Sequence, residues 1–229
     1  HGDQQVQWLP KKVEAFTGQR AVAVSAGLTH SLALTADGAV WRWGGGSYGM
    51  LGHGDQQAQL LPKKVEAFAG RRVIAVSAGG MHSLALTADG GVCSWGDGED
   101  GRLGHGNREG QLLPEKLAAL AGRRVVAVSA GSAHSLAITA DGAVCSWGFG
   151  ACGQLGHGNQ QSQRQPKKIE AFARRRVVAV SAGDNHSLAI TADGAVFTWG
   201  RGDDGRLGRG EDLSNQQLPK KIEVWAPGQ

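Results

Sequence analysis

Residues 130–148 read Ala-Gly-Ser-Ala-His-Ser-Leu-Ala-Ile-Thr-Ala-Asp-Gly-Ala-Val-Cys-Ser-Trp-Gly, and near copies of this phrase return at a fixed interval. Its histidines are His30, His82, His134 and His186, each 52 residues from the next, and its tryptophans are Trp43, Trp95, Trp147 and Trp199. A period kept this strictly confines the chain to a stack of equivalent units, each covering the apolar face that its neighbour cannot bury alone. Residues 1–52, 53–104, 105–156 and 157–208 form four whole periods, and 209–229 begin a fifth. Residues 1–229 are accordingly expected to form one repeat domain.

Within a unit the pattern is that of strands. Arg124-Val125-Val126-Ala127-Val128-Ser129-Ala130 is a β-branched run with small residues between, and residues 135–139 alternate large and small apolar side chains. Ala140-Asp141-Gly142 supplies a tight turn, since Asp can bond the backbone beyond it and Gly is free to take positive φ. A glycine-rich loop follows Trp147-Gly148, and a Pro-Lys-Lys-Ile segment at Pro166 predicts an outer strand where Pro is tolerated. Each unit is thus a four-stranded antiparallel sheet with small or apolar residues on both faces, which must be covered on both. Stacking the sheets around an axis does this, so the expected fold is an all-β β-propeller of about four blades. A flat β-solenoid is the alternative, although 52 residues is long for one coil.

Glycine is 37 of 229 residues, but 41% hydrophobic residues remain to build a core, which excludes a disordered chain. No apolar run is long enough to span a membrane, and the start, His-Gly-Asp-Gln-Gln, resembles no leader and reads as a trimmed or excised end. Of three cysteines, Cys93 and Cys145 share the apolar phase of Trp41 and Phe197, and Cys152 stands alone in a variable loop. That usage predicts a reducing, intracellular compartment, cytoplasmic or nuclear, rather than a disulfide framework.

The pattern Asp-Gly-x-Val-x-x-Trp-Gly at residues 89–96, Leu-Gly-His-Gly at 103–106, Pro114, and Val-x-x-Val-x-Ala-Gly-x-x-His-Ser-Leu-Ala-Ile-Thr at 125–139 resembles the regulator of chromosome condensation repeat. The resemblance covers essentially the whole chain and implies a β-propeller, in that family usually of seven blades. Counted from the Asp-Gly turn, three blades would run over 37–87, 89–139 and 141–191, with a fourth assembled from 193–229 and 1–35. Residues 1–20 and 209–229 both supply a Leu-Pro-Lys-Lys strand, so self-association through these duplicated ends is expected to be possible. The near-identity of the units also fits a designed or excised array without a partner.

Repetition weighs against catalysis. His134, Ser135 and Asp141 have the composition of a triad, but neighbours in a strand point to opposite faces, so His134 cannot activate Ser135. No unit carries a unique carboxylate cluster, phosphate loop or Cys-x-x-Cys pair, and no enzymatic activity, cofactor or metal is expected. A ring of equivalent histidines would offer imidazoles to a metal, but the expected role is to bond backbone groups of their own or the adjacent blade. Trp43, Trp95, Trp147 and Trp199 are expected to pack between blades. The plant ultraviolet photoreceptor of this repeat family places Trp between the Gly and the His of Gly-x-x-His. Here those pairs are Leu28-Thr29, Gly80-Met81, Ser132-Ala133 and Asp184-Asn185, so light sensing is not expected.

Two sets of residues are left as candidate interaction surfaces. One is basic: Lys11, Lys12, Lys63, Lys64, Lys167, Lys168, Lys220 and Lys221, joined by Lys116, the Arg71, Arg72, Arg123 and Arg124 pairs, and Arg174, Arg175 and Arg176. With a net charge of only +4, a solvated face that keeps the outer strands soluble is the favoured reading of this set. The other lies where the units differ, in the loops after Trp-Gly: Tyr48, Met50, Asp97, Glu99, Asp100, Phe149, Asp203 and Asp204. The expected function is a non-catalytic protein-interaction scaffold, with no membrane partner. The resemblance adds a guanine nucleotide exchange factor for a small GTPase and a chromatin or nucleic-acid binder, since the family's founding member acts on Ran and binds chromatin.

Overall fold

The structure, a computed structural model, describes residues 2–3 and 5–222. His1, Gln4 and residues 223–229 lie outside them. Four antiparallel sheets follow one another along the chain. Blade 1 holds β1 (Ala21–Ala26), β2 (His30–Thr35), β3 (Val40–Gly44) and β4 (Gln59–Lys64); blade 2 holds β5 (Val73–Ala78), β6 (His82–Thr87), β7 (Val92–Gly96) and β8 (Gln111–Lys116). Blade 3 holds β9 (Val125–Ala130), β10 (His134–Thr139), β11 (Val144–Gly148) and β12 (Gln163–Lys168); blade 4 holds β13 (Val177–Ala182), β14 (His186–Thr191), β15 (Val196–Gly200) and β16 (Gln216–Lys221). Each sheet runs in simple sequence order, the meander expected of a propeller blade.

The blade boundaries differ from those counted off the Asp-Gly turn. Each sheet opens with the Val-x-Ala strand and closes with the Pro-Lys-Lys strand of the same stretch, so none is assembled from the two chain ends. Residues 5–13, which carry the first Leu-Pro-Lys-Lys, belong to no sheet. The reason is local: short hairpin links join consecutive strands, whereas closing a blade from the two ends would require pairing across the whole chain.

The turns follow their chemistry. The Thr35 hydroxyl donates to Asp37 Oδ1 at 2.6 Å, and the Ala39 amide donates to the same oxygen at 3.3 Å, closing the β2–β3 hairpin around Gly38 at φ 86°. The cores lie between blades. Leu34 and Val40 of blade 1 pack against Phe68, Val73, Cys93 and Trp95, and the same phases repeat between blades 2 and 3 and between blades 3 and 4. Inner strands β1, β5, β9 and β13 pack side by side in that order, but β13 does not pack against β1. The four blades therefore form an open arc among the described residues.

Candidate functional site

The junction between blades is built from three side chains at fixed phases. His30 Nε2 lies 2.9 Å from Ser83 Oγ, His82 Nε2 2.9 Å from Ser135 Oγ, and His134 Nε2 2.9 Å from Ser187 Oγ. Ser83 Oγ in turn donates to the Met50 carbonyl at 3.1 Å, and Trp95 Nε1 donates to the same carbonyl at 3.0 Å. Because the single serine proton goes to the carbonyl, the serine must accept from the histidine, which places a proton on Nε2 of the imidazole. Arg102 and Gln154 offer their carbonyls likewise to Ser135 and Trp147 and to Ser187 and Trp199.

This polarity runs opposite to catalysis, in which histidine would take the serine proton. His134 and Ser135 do point to opposite faces, as strand geometry requires. Ser135 meets His82 of the preceding blade and His134 meets Ser187 of the following one, so the histidine partners are serine side chains rather than the backbone groups expected from sequence. Burial holds these imidazoles neutral: His30 is lowered to about 4 and His134 to about 3, and His82 lies well below its ordinary value, burial being the largest cause in each. No group of three or more metal-capable side chains occurs among the described residues.

The arc's ends break the pattern. Trp95, Trp147 and Trp199 are fully buried, but Trp43 is only half-buried, and His186 is half-exposed where the other three equivalents are buried. Blade 1 departs in another way. Arg42 occupies the phase of Ser94, Ser146 and Thr198 and is completely buried, with Nη1 donating to the Met50 carbonyl at 2.8 Å and its guanidinium 4.6 Å from the centre of the Trp95 ring. Its Nε and Nη2, and His53 Nε2 beside it, have no partner among the described residues. In blade 2 the equivalent Ser94 and His105 bond each other at 3.0 Å.

The two candidate surfaces lie at opposite ends of the strands. At the loop end, the Gly-x-x-His pairs and the loops after Trp-Gly come together: Gly45, Asp97, Phe149 and Arg201 amides donate to the Thr29, Met81, Ala133 and Asn185 carbonyls. Tyr48, Glu99 and Asp204 are exposed there, and Asp100, Phe149 and Asp203 are half-buried. Met50 and Asp97 are not surface residues. Met50 is buried beneath the junction, and Asp97 pairs with the buried Arg102 guanidinium at 2.9 Å. Sequence alone could not reveal this, because both stand among glycines and polar residues.

At the turn end the basic residues are interleaved with acids. Lys11, Lys12, Lys63, Lys64, Lys167, Lys220 and Lys221 are exposed and Lys168 is half-buried. Lys116 lies 3.3 Å from Asp89, whose carboxyl is lowered to about 2 by the Thr87 hydroxyl, the Gly91 amide and that ammonium. Clefts of about 400 and 480 Å³ open at this end of blades 2 and 3, lined by Arg71, Arg72, Asp89 and Lys116 and by Arg123, Arg124, Asp141 and Lys168. The arginine pairs thus belong with the lysines, and each cleft holds a carboxylate that tempers its positive field.

Comparison with known proteins agrees with this repeat geometry. The RCC1-like domain matches residues 1–189, and the regulator of chromosome condensation (RCC1) repeat matches 177–206 and 193–225. The chain is 43% identical over 212 residues to the E3 ubiquitin-protein ligase HERC2 of Homo sapiens, covering 92% of this chain and 4% of that protein. It is 39% identical over 223 residues to the ultraviolet-B receptor UVR8 of Arabidopsis thaliana, covering 97% of this chain and 50% of that one. Among solved structures, Prp20p of Saccharomyces cerevisiae, described with its binding to Gsp1p and histones, superposes with a TM-score of 0.84 at 26% identity, covering 96% of this chain and 54% of that one. The chain thus spans about half of the length of two of these relatives and a small fraction of the third. By its repeats, its blade fold and these matches, the chain belongs to the RCC1-like domain family.

Proposed function

We propose that the chain is a non-catalytic protein-interaction scaffold, a single repeat domain whose partner reads the loop end of the arc. The observation that carries this is the convergence of both variable sets, the Gly-x-x-His pairs and the loops after Trp-Gly, on one end of an otherwise repeated frame. Exposed Leu28 and Tyr48 give blade 1 an apolar and aromatic character, while Glu99, Asp184 and Asp204 make blades 2 and 4 acidic. Tyr48 is held at φ 59°, a left-handed conformation unusual for a bulky side chain, and retaining such strain at an exposed aromatic supports a contact role. The polarity of the His–Ser bonds supports the absence of catalysis, and buried free Cys93 and Cys145 support a reducing, intracellular setting.

The likeness to Prp20p favours a second reading, in which the partner is a small GTPase or a histone. Binding to a GTPase panel and to histones, with nucleotide release followed in parallel, separates the two. A scaffold that uses the loop end loses affinity roughly tenfold or more on Tyr48→Ala or Asp204→Lys, and Lys63→Glu with Lys64→Glu leaves binding unchanged. Loss on lysine reversal alone, with steep salt dependence, would instead assign the turn end and an acidic or nucleic-acid partner.

A further inference from the structure

We propose that Arg42 and His53 form a binding site for a small monovalent anion, of the size of chloride, inside the junction between blades 1 and 2. Alternation along β3 turns Arg42 toward blade 2, while Trp41 and Trp43 point the other way, against Phe16. The guanidinium is completely buried and lies 4.6 Å from the centre of the Trp95 ring. The loop of residues 47–54 closes over it. Gly52, at φ 57°, comes so near that a Cβ there would collide with Arg42 Nη2 and lie 3.0 Å from Pro114 and 3.1 Å from Trp95. Every wall of the site thus belongs to the covered interface between two successive blades.

The donors left over form a set. Nη1 is used on the Met50 carbonyl at 2.8 Å, which leaves Nε and Nη2 without partners among the described residues. These two nitrogens make one edge of the guanidinium fork, the edge that takes an anion side-on. His53 Nε2 is buried beside them, also without a partner among the described residues, and in its Nε2–H tautomer it is a third donor. Burial first, then Arg42 and Lys63, lower the His53 imidazole to about 4, so it adds a donor at neutral pH without adding charge. The other blades fill these phases with groups that bond each other: Ser94 with His105 and Ser146 with His157, both at 3.0 Å. In blade 4 the arginine stands at the histidine phase, and Arg209 Nη2 donates to the Thr198 and Lys220 carbonyls.

Charge decides between an anion and a neutral ligand. A guanidinium keeps its proton, and a buried cation is costly unless an opposite charge meets it. The other buried arginine has one: Arg102 pairs with Asp97 at 2.9 Å and Asp100 at 3.5 Å. Among the described residues Arg42 is in no ion pair. Asp55, the acid that acts on His53, turns its Oδ1 to the Gln57 amide at 3.1 Å, and Lys63, opposite Arg42 on β4, adds positive field. The close approach of Gly52 favours an ion of atomic size over a carboxylate carried on a larger molecule. An anion held there steadies the junction itself, because the Met50 carbonyl that Arg42 grips also accepts from Ser83 and Trp95 of blade 2.

Broadening of the chloride NMR line by the full chain at neutral pH tests the site. The parent is expected to broaden the line in a saturable way, with half-saturation on the order of 10 mM, and bromide is expected to compete. Arg42→Ser, the more stable chain at low chloride, is expected to lose most of the excess width while its near-ultraviolet circular dichroism stays folded, and His53→Ala to weaken binding several-fold. Lys220→Gln with Lys221→Gln, which removes two exposed cations, is expected to leave it unchanged. Denaturant midpoints give a second readout: rising chloride should narrow the gap between Arg42→Ser and the parent, since the anion stabilises only the chain that binds it. A parent that does not broaden the line overturns the proposal. Broadening that survives Arg42→Ser assigns chloride to surface cations, and a gap that chloride leaves unchanged makes water the partner of Arg42; either result overturns it as well.

Discussion

His30, His82 and His134 are donors inside the arc, and their neutrality ties stability to pH. The native imidazoles stay unprotonated well below 6.5, whereas those of the unfolded chain take up protons as pH falls through that value. Stability is therefore full above pH 6.5 and declines toward pH 4, by about 1.4 kcal/mol per pH unit for each fully shifted histidine. Denaturant midpoints measured from pH 7.5 to 5 should fall, and His30→Gln, which keeps a donor for Ser83, should flatten that slope. Arg42 departs from the repeated frame at a buried position. Its guanidinium is buried without a carboxylate, and two of its nitrogens lack partners among the described residues. Arg42→Ser restores the serine and histidine pairing of blades 2 and 3, and is expected to raise unfolding free energy by about 1–3 kcal/mol in a denaturant titration.

At the scale of the element, glycine before the histidine strand shows how tightly blades meet. A Cβ at Gly131 would lie 2.5 Å from the Gly183 carbonyl oxygen and 2.5 Å from the His134 ring, both held by the junction. Gly131→Ala is expected to cost about 1–3 kcal/mol, read from the thermal midpoint, by forcing blades 3 and 4 apart. The alternation in residues 125–130 and the Asp-Gly turn were legible as strands and hairpin because those signals are local. The phase of the blade was not. A repeat can be cut at any residue without changing its period, and only hydrogen-bonded pairing shows that β1 and β4 share a sheet.

For the whole molecule, an arc with three junctions has two kinds of blade. Blades 2 and 3 are covered on both faces and blades 1 and 4 on one, so stability is expected to be uneven along the stack. Amide hydrogen exchange should be slowest in β6 and β10 and faster in β1 and β14. Trp147→Ala should cost about 3–5 kcal/mol, and Trp43→Ala distinctly less; equal losses would mean that blade 1 is covered in solution. The candidate surfaces were legible only as two lists. The arc separates them, bringing Tyr48 and Asp204 to the loop end and the Lys and Arg pairs to the other, because successive strands run antiparallel between the two ends.

Period, strand and turn signals, family and the apolar phases all follow from the order of residues, since each depends on contacts a few positions apart. Which serine each histidine meets, and that Met50 and Asp97 are buried, are matters of three-dimensional placement. The His–Ser bonds span 53 residues. A repeated sequence offers several equivalent serines to each imidazole, and only the direction in which the blades stack selects one.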